Sequence, residues 1–242
     1  MPLSIRAIPC LSDNYIWLLR DEASGAVAVC DPGEAGPAAA ALREGGGRLD
    51  LILLTHHHGD HVGGVGALKA EFGGKVVGNE ADARRLPPLD VAVRPGGTVE
   101  LGESRAEVID TPGHTRGHVA FRFAGAEVLL CGDTLFSLGC GRLLEGTAAE
   151  MFRSLRALDA LPGDTLVCCG HDYTESNARF ALSVDNGNEA LRAMAEAAAA
   201  LRRDGKPTVP TTLARERQAN PFLRAPDAAR LAELRTAKDN FR

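Results

Sequence analysis

The stretch Leu49 to Leu54 holds an unbroken apolar run, Leu51 to Leu54, and leads directly into Thr55-His56-His57-His58-Gly59-Asp60-His61. An apolar run bounded by polar loops is a strand buried on both faces. The chain must therefore build a sheet covered on each side, with a dense group of polar side chains at a strand exit, where α/β folds place their chemistry. Further strand candidates are Ile16 to Leu19, Val27 to Cys30, Lys75 to Val77, Ala106 to Ile109, Val119 to Phe123, Val128 to Cys131 and Thr165 to Cys169. The first two flank the DEASG turn as a hairpin. Helices are expected at the PAAAALRE stretch and over Val62 to Phe72. Another should follow the capping box Thr147-Ala-Ala-Glu150, which ties up two orphan amides of a first turn. Two sets of strands with interleaved helices indicate a layered α/β arrangement, sheets inside and helices outside.

Past about residue 173 the strand pattern stops, and three helical segments are expected. They are Glu175 to Ser183, Glu189 to Arg203 behind the cap Asn188, and Asp227 to Lys238 behind Pro226. The expected organisation is residues 1–173 as an α/β domain and residues 174–242 as a helical one.

Composition narrows the function. Lys plus Arg number 27 and Asp plus Glu 32, a net charge of −5, so the basic excess that binds a phosphate backbone is missing. No apolar run approaches a bilayer-spanning length, and MPLSIRAIPC has no charged region followed by an apolar stretch. The six cysteines form no CxxC pair, and four end or follow apolar runs, as buried reduced thiols do. A cytoplasmic protein is expected, with neither nucleic acid nor membrane as partner.

All seven histidines lie in three short loops beside strand ends: His56, His57, His58 and His61; His114 and His118; and His171. In extended chain, side chains two apart point the same way, so His56 and His58 can grip one metal while His57 faces elsewhere. A turn at Gly59 then aims Asp60 and His61 at a second point nearby. Three more loops supply ligands: Thr111-Pro112-Gly113-His114, Cys131-Gly132-Asp133 and Cys169-Gly170-His171. Imidazole with carboxylate suits zinc, and also iron or manganese. His57, His118 and Asp31 are expected to hydrogen-bond to ligands and fix their tautomers rather than bind metal. Two adjacent divalent ions lower the pKa of water from about 15.7 towards ~7, enough to provide a nucleophile for an acyl compound.

The succession THHHGDH, TPGHTRGH, CGDTLF, CCGHDYTESN resembles the metallo-β-lactamase-fold hydrolases. With DNYIWLL, LFSLGCGRLLEGTAAEM, NPFL and KDNF, the chain more narrowly resembles the glyoxalase II (hydroxyacylglutathione hydrolase) family from about Pro9 to Phe241. The resemblance implies a four-layer αββα sandwich followed by a helical domain. It implies His56, His58 and His114 around one metal, Asp60, His61 and His171 around the other, and Asp133 bridging. Asp60 and Asp133 could also orient the attacking hydroxide. Arg142, Tyr173, Arg235 and Lys238 would hold glutathione. The implied reaction is hydrolysis of S-D-lactoylglutathione to D-lactate and glutathione, in methylglyoxal detoxification, by a monomer. Three positions depart from the family: Leu144 replaces a frequent aromatic, Arg142 replaces a lysine found in some members, and Asp172 shortens a frequent glutamate. The rivals are a lactonase or β-lactamase, an iron-dependent persulfide dioxygenase and a metal-storing protein. The helical tail, with Arg235 and Lys238 three apart on its last helix, argues for the glutathione thioester.

Overall fold

The computed structural model describes residues 3–241. The chain forms two compact units, one running up to Asp110 and including Gly117–Gly132, the other made of Thr111–Arg116 and the chain from Asp133 onward.

In the first unit, β1 (Leu3–Cys10), β2 (Asn14–Asp21) and β3 (Val27–Cys30) form an antiparallel meander. Helix α1 (Ala35–Glu44) leads to β4 (Leu51–Leu53); α2 (Gly59–Val62) and α3 (Val65–Phe72) lead to β5 (Lys75–Asn79), and β6 (Val91–Val93) closes the sheet. Strands β3 to β6 run parallel, with Ile52 opposite Val76. Residues of β3, β4 and β5 are apolar at successive positions because both faces are covered. On one face Val27, Val29, Ile52 and Val76 pack with Ala38 and Leu42 of α1 and Val65 and Leu68 of α3. On the other, Ala28, Cys30, Leu51, Leu53 and Val77 are buried as well. An antiparallel set follows, β7 (Thr98–Leu101), β8 (Ser104–Asp110), β9 (Val119–Phe123) and β10 (Val128–Gly132), in the order β10-β9-β8-β7. It is tied to the first sheet by Ser104 Oγ donating to Asp21 Oδ2 (2.6 Å) and by the Val119 amide donating to the Thr55 carbonyl (2.9 Å).

The single helix expected over Val62 to Phe72 is two, broken at Gly63-Gly64. A Cβ at Gly64 would lie 2.5 Å from the Glu34 carbonyl carbon and 2.7 Å from the Ala35 amide, so only glycine lets these backbones meet. Strand β1 was not anticipated. Its burial alternates over Leu3 to Ala7 and changes phase at Ile8, so no single period of two runs through it.

The second unit holds a short hairpin, β11 (Leu135–Phe136) with β12 (Gly139–Cys140), then α4 (Ala148–Asp159) and β13 (Leu166–Cys169). Helices α5 (Thr174–Val184) and α6 (Glu189–Arg203) follow, then β14 (Thr211–Thr212), α7 (Leu213–Ala219) and α8 (Ala228–Asp239). The capping box at Thr147 and the Asn188 cap form as expected, and α6 begins and ends where the sequence indicated. The tail, however, carries a fourth helix, α7, introduced by a two-residue strand paired with β13. At seven residues α7 is too short to show an apolar period; the Thr212 side chain caps it by accepting from the Arg215 amide. Leu138 of the hairpin turn is buried with Ala178, Ala181, Leu191, Met194 and Ala219.

Candidate metal centre and substrate cavity

In the first unit the exit of β4 carries His56, His58, Asp60 and His61 within one turn and the start of α2. A hydroxyl has a single hydrogen, and Thr55 Oγ1 gives it to Asp31 Oδ2 (2.6 Å). The 3.0 Å contact between Thr55 Oγ1 and His56 Nδ1 is therefore made by the ring N–H, leaving the lone pair on His56 Nε2. That nitrogen stands 3.0 Å from His58 Nδ1. His61 Nδ1 donates to Asp31 Oδ2 (3.2 Å), so its own lone pair, on Nε2, faces Asp60 Oδ2 at 3.6 Å. Asp31 is close enough to His56 and His61 to join them on a cation, with ligand atoms within 4.8 Å of one another. Its oxygens nevertheless already accept from the Thr55 amide (2.8 Å), the Thr55 hydroxyl and His61. Those bonds tie it to Thr55 and His61. The Asp60 carboxylate accepts from Asn14 Nδ2 (3.1 Å).

The two other histidines of this unit lie beside the candidate ligands. His57 Nδ1 meets the buried Asp82 Oδ2 at 3.0 Å, and Asp82 also accepts from Arg85 Nε. His118 is fully buried and stacks on His56 with ring centroids 4.9 Å apart. Gly132 (φ 46°) packs against Thr55 and His118: a Cβ there would lie 2.3 Å from Thr55 Oγ1 and 2.7 Å from His118 Nε2.

The second unit places His114, Asp133 and His171 together. His114 Nδ1 donates to the Arg142 carbonyl (2.9 Å), so the lone pair on Nε2 faces Asp133 Oδ2 at 3.4 Å. His171 Nε2 lies 3.3 Å from the same oxygen. All three residues are buried. The lone pairs of His61 and His114 thus face carboxylate oxygens, which repel them unless a cation stands between, and neutral imidazole with carboxylate is the donor set of divalent transition metals. In each unit the residues fit such ions. After His171, Asp172 accepts from the Thr208 amide (3.2 Å) and hydroxyl.

A cavity of about 430 Å³ opens over His114 and Asp133, and Arg142, Tyr173, Arg235 and Lys238 all line it. That volume lies within the range of small-molecule sites. Tyr173 stacks on His171 (4.7 Å, 7°), and Phe136 stands edge-on to both rings. The cations differ in availability. Arg142 is exposed and 3.7 Å from Asp239. Arg235 is buried, with Nη1 donating to the Cys140 carbonyl (2.8 Å) and Nε and Nη2 turned to Asp239. Lys238 Nζ donates to the Ser176 carbonyl (2.8 Å). Burial, then the neighbouring guanidinium groups of Arg235, Arg179 and Arg142, push its ammonium down to about 8. Sequence reasoning missed Phe136, Ser176, Asp239 and Phe241 on the cavity wall. Only the LFSLGCGR and KDNF segments hinted at them, through resemblance rather than chemistry.

The described residues include no helix long and apolar enough to cross a membrane. All six cysteines are buried and unpaired with one another.

Residues 12–171 match the model of the metallo-beta-lactamase superfamily, and residues 172–241 match that of the hydroxyacylglutathione hydrolase C-terminus. A hydroxyacylglutathione hydrolase of Cereibacter sphaeroides is 51% identical over 255 residues, covering 100% of both chains. One of Acidiphilium cryptum is 54% identical, covering 98% of this chain and 97% of its own. Among solved structures, ETHE1 from Myxococcus xanthus superposes with a TM-score of 0.75 at 26% identity, covering 99% of this chain and 92% of its own. The chain belongs to the metallo-beta-lactamase superfamily and, within it, to the hydroxyacylglutathione hydrolase family. The fold class expected from the sequence is the one found.

Proposed function

We propose that this chain hydrolyses S-2-hydroxyacylglutathiones, S-D-lactoylglutathione first among them, to the 2-hydroxy acid and glutathione, with two divalent metal ions. The observation that carries the reading is the cavity of the second unit, where His114 and Asp133 adjoin a wall of Arg142, Tyr173, Arg235 and Lys238. Glutathione carries two carboxylates, and this wall is cationic. By the family pattern, His56, His58, Asp60 and His61 of the first unit and His114, Asp133 and His171 of the second would supply the ligands of the two ions. Zinc is the first choice for this donor set, with iron or manganese also compatible. Bound there, the ions supply Lewis acidity and water acidified to a pKa near ~7.

The residues of the chain do the rest. Asp31, through Thr55, keeps the proton of His56 on Nδ1, and the Arg142 carbonyl does the same for His114, so both rings stay neutral donors through Nε2. Either Asp60 or Asp133 would orient the attacking water. Lys238 and Arg142 hold the carboxylates of the tripeptide, and Arg235, engaged by Cys140 and Asp239, sets the charge of the wall. A thiol ionises near pH ~8.5, so the leaving thiolate needs little protonation and no separate acid. The buried reduced cysteines suit the cytoplasm.

Loss of the ultraviolet thioester absorbance of S-D-lactoylglutathione, with metal analysis on the same sample, tests the reading. Turnover abolished by a chelator and restored by zinc, with about two metals per chain, is expected. Two metals without turnover would move the chain to lactones and β-lactams. Iron with oxygen uptake on glutathione persulfide would make it a dioxygenase.

A further inference from the structure

Behind the cavity wall, in the second unit, lies a group of polar side chains that the proposed reaction does not use. The turn of the β11–β12 hairpin, Ser137-Leu138, has its backbone groups satisfied from outside. The Leu138 amide donates to Glu216 Oε2 (2.9 Å), the Ser137 carbonyl accepts from Asn177 Nδ2 (3.0 Å), and Asn220 Nδ2 donates to the Phe136 carbonyl (3.1 Å) and the Gly139 carbonyl (3.0 Å). Asn220 Nδ2 also meets Glu216 Oε2 at 2.9 Å, and Asn220 Oδ1 accepts from the Phe222 amide (3.0 Å). Glu216 and Asn220 are fully buried, one on α7 and one just past its end.

A buried carboxyl is costly, and so is the conformation it holds. Leu138 has φ 57°, the left-handed region that branched residues avoid, while its side chain is fully buried in the apolar cluster of this unit. The strained turn persists because its amide and the flanking carbonyls are held. What the turn carries is the site: Phe136 stands edge-on to His171 and Tyr173, and the Cys140 carbonyl takes the Arg235 guanidinium.

We propose that Glu216 and Asn220 are positioning residues for the substrate. From behind the β11–β12 hairpin they set where Phe136 and the Cys140–Arg235 pair stand, and so the affinity for the tripeptide end of a glutathione thioester. The inference rests on the reading of the site given above. Burial holds the Glu216 carboxyl up at about 7, so Glu216→Gln is close to a form the native group visits. The glutamine oxygen can still accept from Leu138 and Asn220, while its amide faces the hydroxyls of Ser137 and Thr211.

The test compares wild type, Glu216→Ala, Glu216→Gln, Asn220→Ala and the milder Asn220→Ser, each as metal-loaded full chain. Three quantities are read: KM and kcat with S-D-lactoylglutathione, the calorimetric Kd of glutathione alone, and kcat/KM with S-lactoyl-N-acetylcysteamine, a thioester without carboxylates. The expected result for the alanine and serine variants is a rise of roughly tenfold or more in KM and in the glutathione Kd. Their kcat, metal content and small-thioester rate should stay within about threefold, and Glu216→Gln should restore KM. Equal losses on both thioesters, or loss of metal, would show a scaffold role and overturn the proposal. So would unchanged KM and Kd in variants of an active wild type. If the alanine variants do not fold, the serine and glutamine variants decide by the same criteria. A wild type that neither turns over nor binds glutathione would overturn the functional reading and this inference together.

Discussion

Replacing Asp31 by asparagine should weaken metal binding without touching a ligand. Asp31 is buried and adopts φ 51°, a conformation asparagine tolerates, so the backbone has no reason to move. The native carboxylate only accepts: from the Thr55 amide (2.8 Å), the Thr55 hydroxyl (2.6 Å) and His61 Nδ1 (3.2 Å). An asparagine placing its oxygen toward the Thr55 amide presents an NH2 to the other two. The Thr55 hydroxyl then accepts and turns its hydrogen to His56 Nδ1, moving the ring proton to Nε2, where the lone pair is needed. His61 meets the same conflict. Losing such an orienting partner costs 10–100-fold in metal affinity or activity, about 1.4–2.7 kcal/mol. Competition with a coloured chelator measures the affinity directly. Thr55→Val, which removes the relay but leaves Asp31 to hold His61, should fall between wild type and Asp31→Asn. Native metal affinity in Asp31→Asn would refute the tautomer argument.

Three further outcomes are expected. Lys238, pushed down to about 8, loses its charge as pH rises through that value, so KM for the glutathione thioester should climb above pH 8. Lys238→Arg should flatten that climb, and an unchanged profile in the variant would discard Lys238 as a carboxylate anchor. Glu216, raised from 4.5 to about 7 by burial, faces Cys169 from β13, Ser137 and Leu138 from the hairpin, Thr211 from β14 and Asn220; Cys169, itself raised to about 12, stays neutral. The stability gained by its protonation is complete below about pH 4.5 and disappears as pH rises through 7, a change of roughly 3 kcal/mol that Glu216→Gln should remove from the urea-unfolding profile. Parallel profiles for variant and wild type would show that the carboxyl titrates normally. Thr147→Ala breaks the capping box of α4 and should cost about 1 kcal/mol, lowering Tm by roughly 2–4 °C in a calorimetric scan.

The parts of the fold readable from sequence are those set by local rules. The buried strand at Leu51 to Leu54, the caps at Thr147 and Asn188, and the parity of His56 and His58 follow from period, capping chemistry and the alternation of an extended chain. Parity also sets His57 apart from His56 and His58, and its Nδ1 meets Asp82. Resemblance, not periodicity, brought in Arg142, Tyr173, Arg235 and Lys238, because residues so distant in sequence share no local signal.

Tertiary structure decided what depends on distant partners. Strand β1 pairs with β2 along its whole length, which its own pattern, shifting phase at Ile8, does not declare. Helix α7 is too short to declare itself, yet it supplies the carboxylate that holds a left-handed leucine. Whether Arg235 is a free cation or a tethered one depends on a carbonyl 95 residues away and an aspartate four residues on. A sequence states which side chains can donate, accept or carry charge; only the folded chain determines which have already found a partner, because hydrogen-bond donors and acceptors are spent by proximity, and proximity here is made by pairing and packing across long stretches of chain.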